Sequence, residues 1–431
     1  MTRKKRFFLF LGLAIIFLIV APLTVLYCLG WRFDWETKTI IQPGIFYFKV
    51  WPKNVEVYIN DKFKKKTDVF FGSILIDNLK PGEYKVEIKK EGYLPWQKNL
   101  EIKKRQATEA KNIFLVPENP EFNLMAGGIK NLFFSPDGKQ IILKEDSENG
   151  WALKLFETEK KVKSRLISEN DISKEKTELI ELKFSSDSKR LLLKLGLKEK
   201  ISYYVLKIEK SPPELTLLDF LRSEQEMFLY LENKEIPLFP KNISAFGVSD
   251  ENIFYLTDSG FLFKEKEKLN LIPFEIKQET KYQIIVSESA ILLQENNVLY
   301  IFDEEEKSFK KIYEPAEKIK FSPNSKKIAY TGSYEIWVLF LEKNIDMPSK
   351  EKGEKLFITR FSEKLGDIFW YTSHYLIFNA GNKIKVAEID NRDKINIVDL
   401  AEFPNPEIFW TNKKLYILSE ENLYVSEELI P

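Results

Sequence analysis

One cysteine and one histidine occur in 431 residues. These two scarcities exclude much chemistry. Cys28 lies inside a long apolar run, so the rest of the chain has no disulfide and depends on packing for stability. His374 alone cannot complete a multi-histidine zinc site, and it leaves most Ser-His and Cys-His nucleophile systems without a base. No glycine-rich phosphate loop, EF-hand loop or Cys/His cluster is present, so no metal and no cofactor is expected. Charge of one sign is also lacking, with Lys+Arg 66 against Asp+Glu 65 and a net charge of +1. Arg3, Lys4, Lys5 and Arg6 are the only charges in residues 1–30, which leaves −3 for everything after them. That balance offers no basic field for nucleic acid.

What the chain does have is an uncharged apolar stretch at residues 7–29. As a helix it would run about 35 Å, enough to cross a hydrocarbon core of about 30 Å. The four cations before it predict a cytoplasmic tail over 1–6, and Trp31 and Trp35 after it suit the far headgroup layer. Pro22 implies a kink at most. A cleaved signal would have a shorter core and small residues at the cut, and no such pattern closes this run. Tyr27 before Cys28 is too bulky for a lipoprotein cleavage site. The expectation is a single-pass anchor in the lipid bilayer, with the bulk of the chain extracytoplasmic in the cell envelope.

A juxtamembrane linker is expected over 30–44, and a strand-rich body over 45–116. Val55, Val57 and Ile59 alternate with polar or amphipathic neighbours, and so do Tyr84, Val86 and Ile88. A period of two marks strands with one buried face. Asn60-Asp61 and Pro81-Gly82 are turn pairs between them. About six short strands in some 70 residues predict a small antiparallel β-sandwich. The segments Val55-Glu-Val-Tyr-Ile-Asn60, Leu79-Lys-Pro-Gly-Glu-Tyr-Lys-Val86, Glu91-Gly-Tyr93 and Trp96 resemble a PEGA domain, although Asp61 stands where that family has glycine. The resemblance implies a surface-protein module that spaces or binds envelope components, with no catalytic residue to carry over.

After the hinge Pro117-Glu-Asn-Pro120, a pattern recurs over 117–431. Phe134-Ser-Pro-Asp-Gly-Lys139 returns as Phe184-Ser-Ser-Asp-Ser-Lys189 and as Phe321-Ser-Pro-Asn-Ser-Lys326, each between two apolar strands. Worn copies lie at 245–256, 282–293, 368–378 and 408–418. Recurrence at roughly 40–50 residues with several strands per unit is the mark of a β-propeller. The count is about seven blades, the last ending after three strands and completed by residues 122–125 from the other end of the ring. The Phe-Ser-Pro-Asp-Gly-Lys segment resembles the repeat of TolB-like and WD40-like propellers. The fold class is therefore an all-β ectodomain, sandwich plus propeller, behind one transmembrane helix.

Candidate site residues are few. Tyr93 and Trp96 in the sandwich, and Trp337, Trp370 and Trp410 in the repeats, are possible ligand-stacking aromatics, weighed against plain core packing. The carboxylates at 264–268 and 303–307 stand beside lysines and read as solvated hairpin tips. No catalytic residue is assigned. The expected role is noncatalytic binding or scaffolding. The sandwich would meet envelope glycan or another envelope protein, and the propeller would serve as a protein-interaction platform. The alternatives are a propeller hydrolase acting on envelope carbohydrate or peptide, and a subunit of a larger envelope machine.

Overall fold

The computed structural model describes residues 3–35, 38–148, 150–160, 162–197, 200–218, 227, 230–232, 242–249 and 252–430. The expected cytoplasmic tail lies partly outside them. The chain divides into two compact units: Met1–Asn119 with Lys343–Lys352 and Ala387–Val398, and the remainder from Pro120 to Pro431.

The first unit begins with α1 (Arg3–Cys28), which carries Pro22 without interruption. Its apolar window has none of its residues buried, so the described residues leave that window uncovered. The stretch expected to be a linker instead forms a hairpin, β1 (Arg32–Asp34) with β2 (Thr39–Ile41). Buried Asp34 accepts from Lys80 Nζ at 2.8 Å, which ties this hairpin to the body that follows.

That body has seven strands in two sheets. β3 (Gly44–Trp51) lies between β6 (Ser73–Leu79) and β9 (Ala107–Phe114). β4 (Glu56–Ile59), β5 (Lys62–Lys66), β7 (Gly82–Lys89) and β8 (Trp96–Ile102) form the second sheet in the order β5-β4-β7-β8. Alternation supplies the core: Phe46, Phe48 and Val50 face Val57, Ile59, Val86, Ile88 and Leu100. One pair departs from the antiparallel expectation, because β3 and β9 run parallel. The connection between them carries β4 to β8, which is long enough for the return that a parallel pair requires.

The second unit contains the propeller blades. Its strands fall into seven four-stranded sheets among the described residues. The Phe-Ser-Pro-Asp-Gly-Lys segment forms the first turn of its blade. Ser135 Oγ donates to Asp137 Oδ1 at 2.6 Å, Asp137 accepts from Lys139 N, and Gly138 N donates to Ser135 O. Ser185 with Asp187, and Ser322 with Asn324, repeat the arrangement. Apolar cores run between neighbouring sheets. Ile142, Trp151 and Leu153 of the first pack with Leu182, Leu191 and Leu193 of the second. One sheet alone has no partner for that face.

The ring closes as the repeat count predicts. β10 (Phe122–Ala126) pairs antiparallel with Asn422–Ser426, adding the fourth strand to the last sheet. Phe134 of the first blade stacks on Phe409 of the last, with centroids 3.6 Å apart. Asn412 Nδ2 donates to Gly138 O at 2.8 Å. Gly138 has φ +68°, and a Cβ there would meet Thr411 Oγ1 at 1.8 Å and Thr411 Cβ at 3.0 Å. Gly138→Ala should therefore destabilise this unit by about 2 kcal/mol, from the left-handed backbone and the overpacking together. Urea unfolding checks this: Thr411→Ala in the same chain should recover part of the loss, and an unchanged midpoint for Gly138→Ala would reject the account.

Candidate functional site

The five aromatics singled out from the sequence are dispersed, and each is held by its own neighbours. Trp96 is 3% exposed, lies in the sandwich core, and its indole N–H donates to Glu388 at 2.8 Å. Tyr93 stands edge-on to Trp51, which stacks on Phe114 at 4.3 Å. Trp370 is buried and donates to Lys320 O. Trp337 packs against Phe357 and donates to Glu335, and Trp410 lies 4.7 Å from Tyr371. Trp96 and Trp370 have no face open to a ligand. Both were placed inward by strand periodicity, where an indole N–H still finds an acceptor.

Polar groups that resemble catalytic pairs are also placed by the blades. Tyr313 OH donates to Glu335 at 2.9 Å, and Tyr300 OH donates to Glu295 at 2.9 Å. Burial, then the adjoining carboxylate, pushes each of these phenols up to about 12. Burial pushes Glu295 up, but Lys277, Tyr300 and Tyr282 together outweigh it and hold the carboxyl below its ordinary value. Hydrogen bonds from Trp337 and Tyr313 do the same for Glu335. At neutral pH each pair is thus a protonated phenol donating to an ionised carboxylate, which ties strands together. His374 occupies the turn before Tyr375–Ala380, where its backbone N–H donates to Thr372 Oγ1. Among the described residues, no group of three or more His, Cys, Asp or Glu is placed to hold a metal ion.

Two features of the first unit escaped the sequence reading. The first is a buried ion pair. Lys98 is 1% exposed and Glu388 2% exposed, with Nζ and Oε1 2.7 Å apart. Lys98 also donates to Asp390 O and Lys394 O, while Glu388 accepts from Trp96 and from Asn396 N. Around this pair, Asn99 N donates to Asp393 and Arg392 donates to Glu109 O. The signal was available in β8. In Trp96-Gln-Lys98-Asn-Leu100-Glu-Ile102, the period of two puts a lysine on the same face as three core residues.

The second feature is the connection from β5 to β6. Asp68 organises it: the carboxylate accepts from Phe70 N, Phe71 N, Ser73 N and Ser73 Oγ. The Phe71 amide and the Ser73 hydroxyl hold the Asp68 carboxyl well below the usual carboxylate range. Gly72 N returns to Asp68 O, and Val50 N donates to Gly72 O. A Cβ on Gly72 would lie 2.3 Å from Val50 O, so only glycine fits here. A shallow cleft of about 490 Å³ opens beside the connection, lined by Tyr47, Lys65, Lys66, Asp68, Ser73, Ile74 and Leu75.

No curated protein matches this chain. Among solved structures, the β-propeller domain of Cps50 (Swd1) from Myceliophteria thermophila is similar at 10% identity and a TM-score of 0.41, covering 71% of this chain and 99% of that one. YCF48 from Cyanidioschyzon merolae is similar at 9% identity and a TM-score of 0.41, covering 71% and 98%. These are likenesses of fold alone. Residues 50–116 match the PEGA domain, and the four-stranded sheets closed by the pairing of Phe122–Ala126 with Asn422–Ser426 are the blades of a β-propeller; both stand behind an N-terminal apolar helix that is a signal sequence or a single membrane anchor.

Proposed function

We propose that this is a membrane-anchored envelope protein with a noncatalytic binding or scaffolding role. On this reading α1 stays in the bilayer with its N-terminus in the cytoplasm. The PEGA module is a spacer next to the membrane, and the propeller offers its loops to another envelope protein. The observation that carries the reading is the uncovered α1 followed within six residues by Asp34, which is clamped to Lys80 of the sandwich. Six residues span at most about 20 Å, so a bilayer holding α1 would also hold the sandwich at its surface. The noncatalytic part is supported by the engagement of Glu295 and Glu335, each of which accepts two hydrogen bonds from side chains of the blade strands. The engaged aromatics favour a spacer role over sugar stacking for the sandwich.

The test is made on cells expressing the full chain. Alkaline carbonate should fail to extract the protein, and protease added to intact cells should digest the propeller. A mature N-terminus beyond residue 28 would make α1 a cleaved signal and end the anchor reading. Cross-linking on intact cells, followed by purification, should recover a protein partner. Turnover of envelope polysaccharide or peptide by the purified chain would replace the scaffold reading with the hydrolase.

A further inference from the structure

The connection from β5 to β6 exposes apolar side chains that its own backbone prevents from folding away. Phe70 is 76% exposed and Phe71 75% exposed, with Val69 beside them also exposed. Single exposed apolar residues are ordinary on protein surfaces, whereas three in succession at the tip of a fixed turn form a patch. The Asp68 carboxylate takes both phenylalanine amides, and Gly72 locks the exit against Val50. The two rings are therefore held outward by the turn.

The strand leading into this turn is basic and exposed throughout: β5 is Lys62-Phe-Lys-Lys-Lys66. Lys66 pairs with Glu56, but Lys62, Lys64 and Lys65 have no carboxylate within ion-pair distance among the described residues. Residues 62–76 contain four lysines and one aspartate, in a chain that is otherwise balanced and is net negative beyond its first thirty residues. Lysines on an edge strand do discourage pairing with another sheet. That role explains the strand and leaves the outward phenylalanines unexplained.

We infer that the 69–71 tip and the free lysines of β5 form a docking surface for an anionic lipid headgroup layer, that of the bilayer holding α1. Cations beside short apolar wedges match the two layers of such a surface: charge meets the headgroups and the rings enter the acyl boundary. Reach supports the choice of occupant: the clamped Asp34 keeps Lys80 within about 20 Å of the end of α1, and β6 separates Lys80 from the 69–71 turn by roughly 23 Å, so a sandwich lying along the bilayer brings both to its surface. The inference rests on the anchor reading above. Docking would fix the tilt of the sandwich on the membrane, where α1 alone leaves it free to swing.

The experiment uses the full chain carrying Cys28→Ser and Phe71→Cys, labelled at position 71 with an environment-sensitive fluorophore. The protein is reconstituted into vesicles of phosphatidylcholine with phosphatidylglycerol, or of phosphatidylcholine alone. Flotation of the protein with the vesicles reports the anchor, and the label reports docking. In the anionic vesicles the label should emit as in an apolar medium and be quenched by doxyl-labelled lipid. Replacing Lys62, Lys64 and Lys65 with glutamine should lower the docked-to-undocked ratio about 100-fold, and 1 M salt should weaken docking by screening. Water-like emission from protein that floats overturns docking while leaving the anchor intact. Protein that fails to float removes the anchor and the docking together. An apolar signal that ignores doxyl lipid and grows with protein density means that a second copy covers the tip, which also overturns the inference.

Discussion

Deleting residues 412–431 is expected to abolish the folding of the whole propeller unit. The deletion removes Lys414–Ser419 and Asn422–Ser426, the two middle strands of the last sheet. β10 then has no partner, and Glu407–Thr411 is left as a single strand. Tyr416, Leu418 and Leu423 leave the core they share with Ile129, Ile141 and Leu143 of the first blade, and buried Leu415 and Ile417 go with them. Five buried apolar side chains at about 2 kcal/mol each amount to on the order of 10 kcal/mol, comparable to the whole stability of a domain. The measurement is limited proteolysis and urea unfolding of the detergent-solubilised chain. Loss of the protease-resistant propeller fragment is expected. A truncated chain that stays monomeric and unfolds cooperatively at an unchanged midpoint would show that ring closure is dispensable. Leu423→Ala is the milder counterpart, at about 2–5 kcal/mol.

Breaking the buried pair from one side should be the largest single-residue effect in the first unit. Lys98→Met leaves the Glu388 carboxylate buried without its cation, at a loss of about 3–5 kcal/mol. Glu388→Leu strands the ammonium in the same way. The double variant should recover part of the loss, because two charges removed together leave no uncompensated one. A remnant of at least about 1–2 kcal/mol is expected, because Asp390 O and Lys394 O lose their donor and Trp96 Nε1 and Asn396 N lose their acceptor. Burial pushes the Glu388 carboxyl up, opposed by Lys98, Trp96 and the Asn396 amide. A carboxyl raised in the folded state favours folding at low pH, and that advantage is lost as pH rises through the raised value. The Lys98→Met penalty should therefore shrink as pH falls through that raised value, where Glu388 takes up a proton before the ordinary 4.5 is reached. Urea midpoints across pH read this directly. A penalty that is constant with pH, or a double variant as unstable as the singles, would mean that the charges are not what holds this segment.

The propeller was legible because its information is local and repeated. Each blade restates the same turn, with Ser135, Asp137 and Gly138 doing in one copy what Ser185 and Asp187, or Ser322 and Asn324, do in others. The need for a fourth strand in the last blade followed from counting, with residues 122–125 as its expected source, and the structure pairs Phe122–Ala126 there. The PEGA sandwich was legible from its alternation, but the parallel pairing of β3 with β9 was not. Periodicity says which face of a strand is buried and is silent about the direction of its neighbour.

The site was less legible than the fold. Large aromatics satisfy a packing role and a binding role equally well on paper, and only their surroundings decide. Trp96 and Trp370 found acceptors within buried faces. Lys98 stood in plain view at an inward register position, but its counter-ion lies 290 residues onward. The outward pose of Phe70 and Phe71 depends on where Asp68 aims its carboxylate, which no spacing announces.

Composition and pattern thus set the apolar helix, the strand periods and the blade count, since each is carried by neighbours a few residues apart or by their repetition along the chain. The partners of Lys98, the outward turn at 69–71, the Tyr–Glu locks and the parallel pair were decided by tertiary structure. The Lys98 pair and the parallel strands depend on what a distant part of the chain brings into contact, whereas the 69–71 turn and the Tyr300–Glu295 bond join residues close in sequence and depend on where each side chain points.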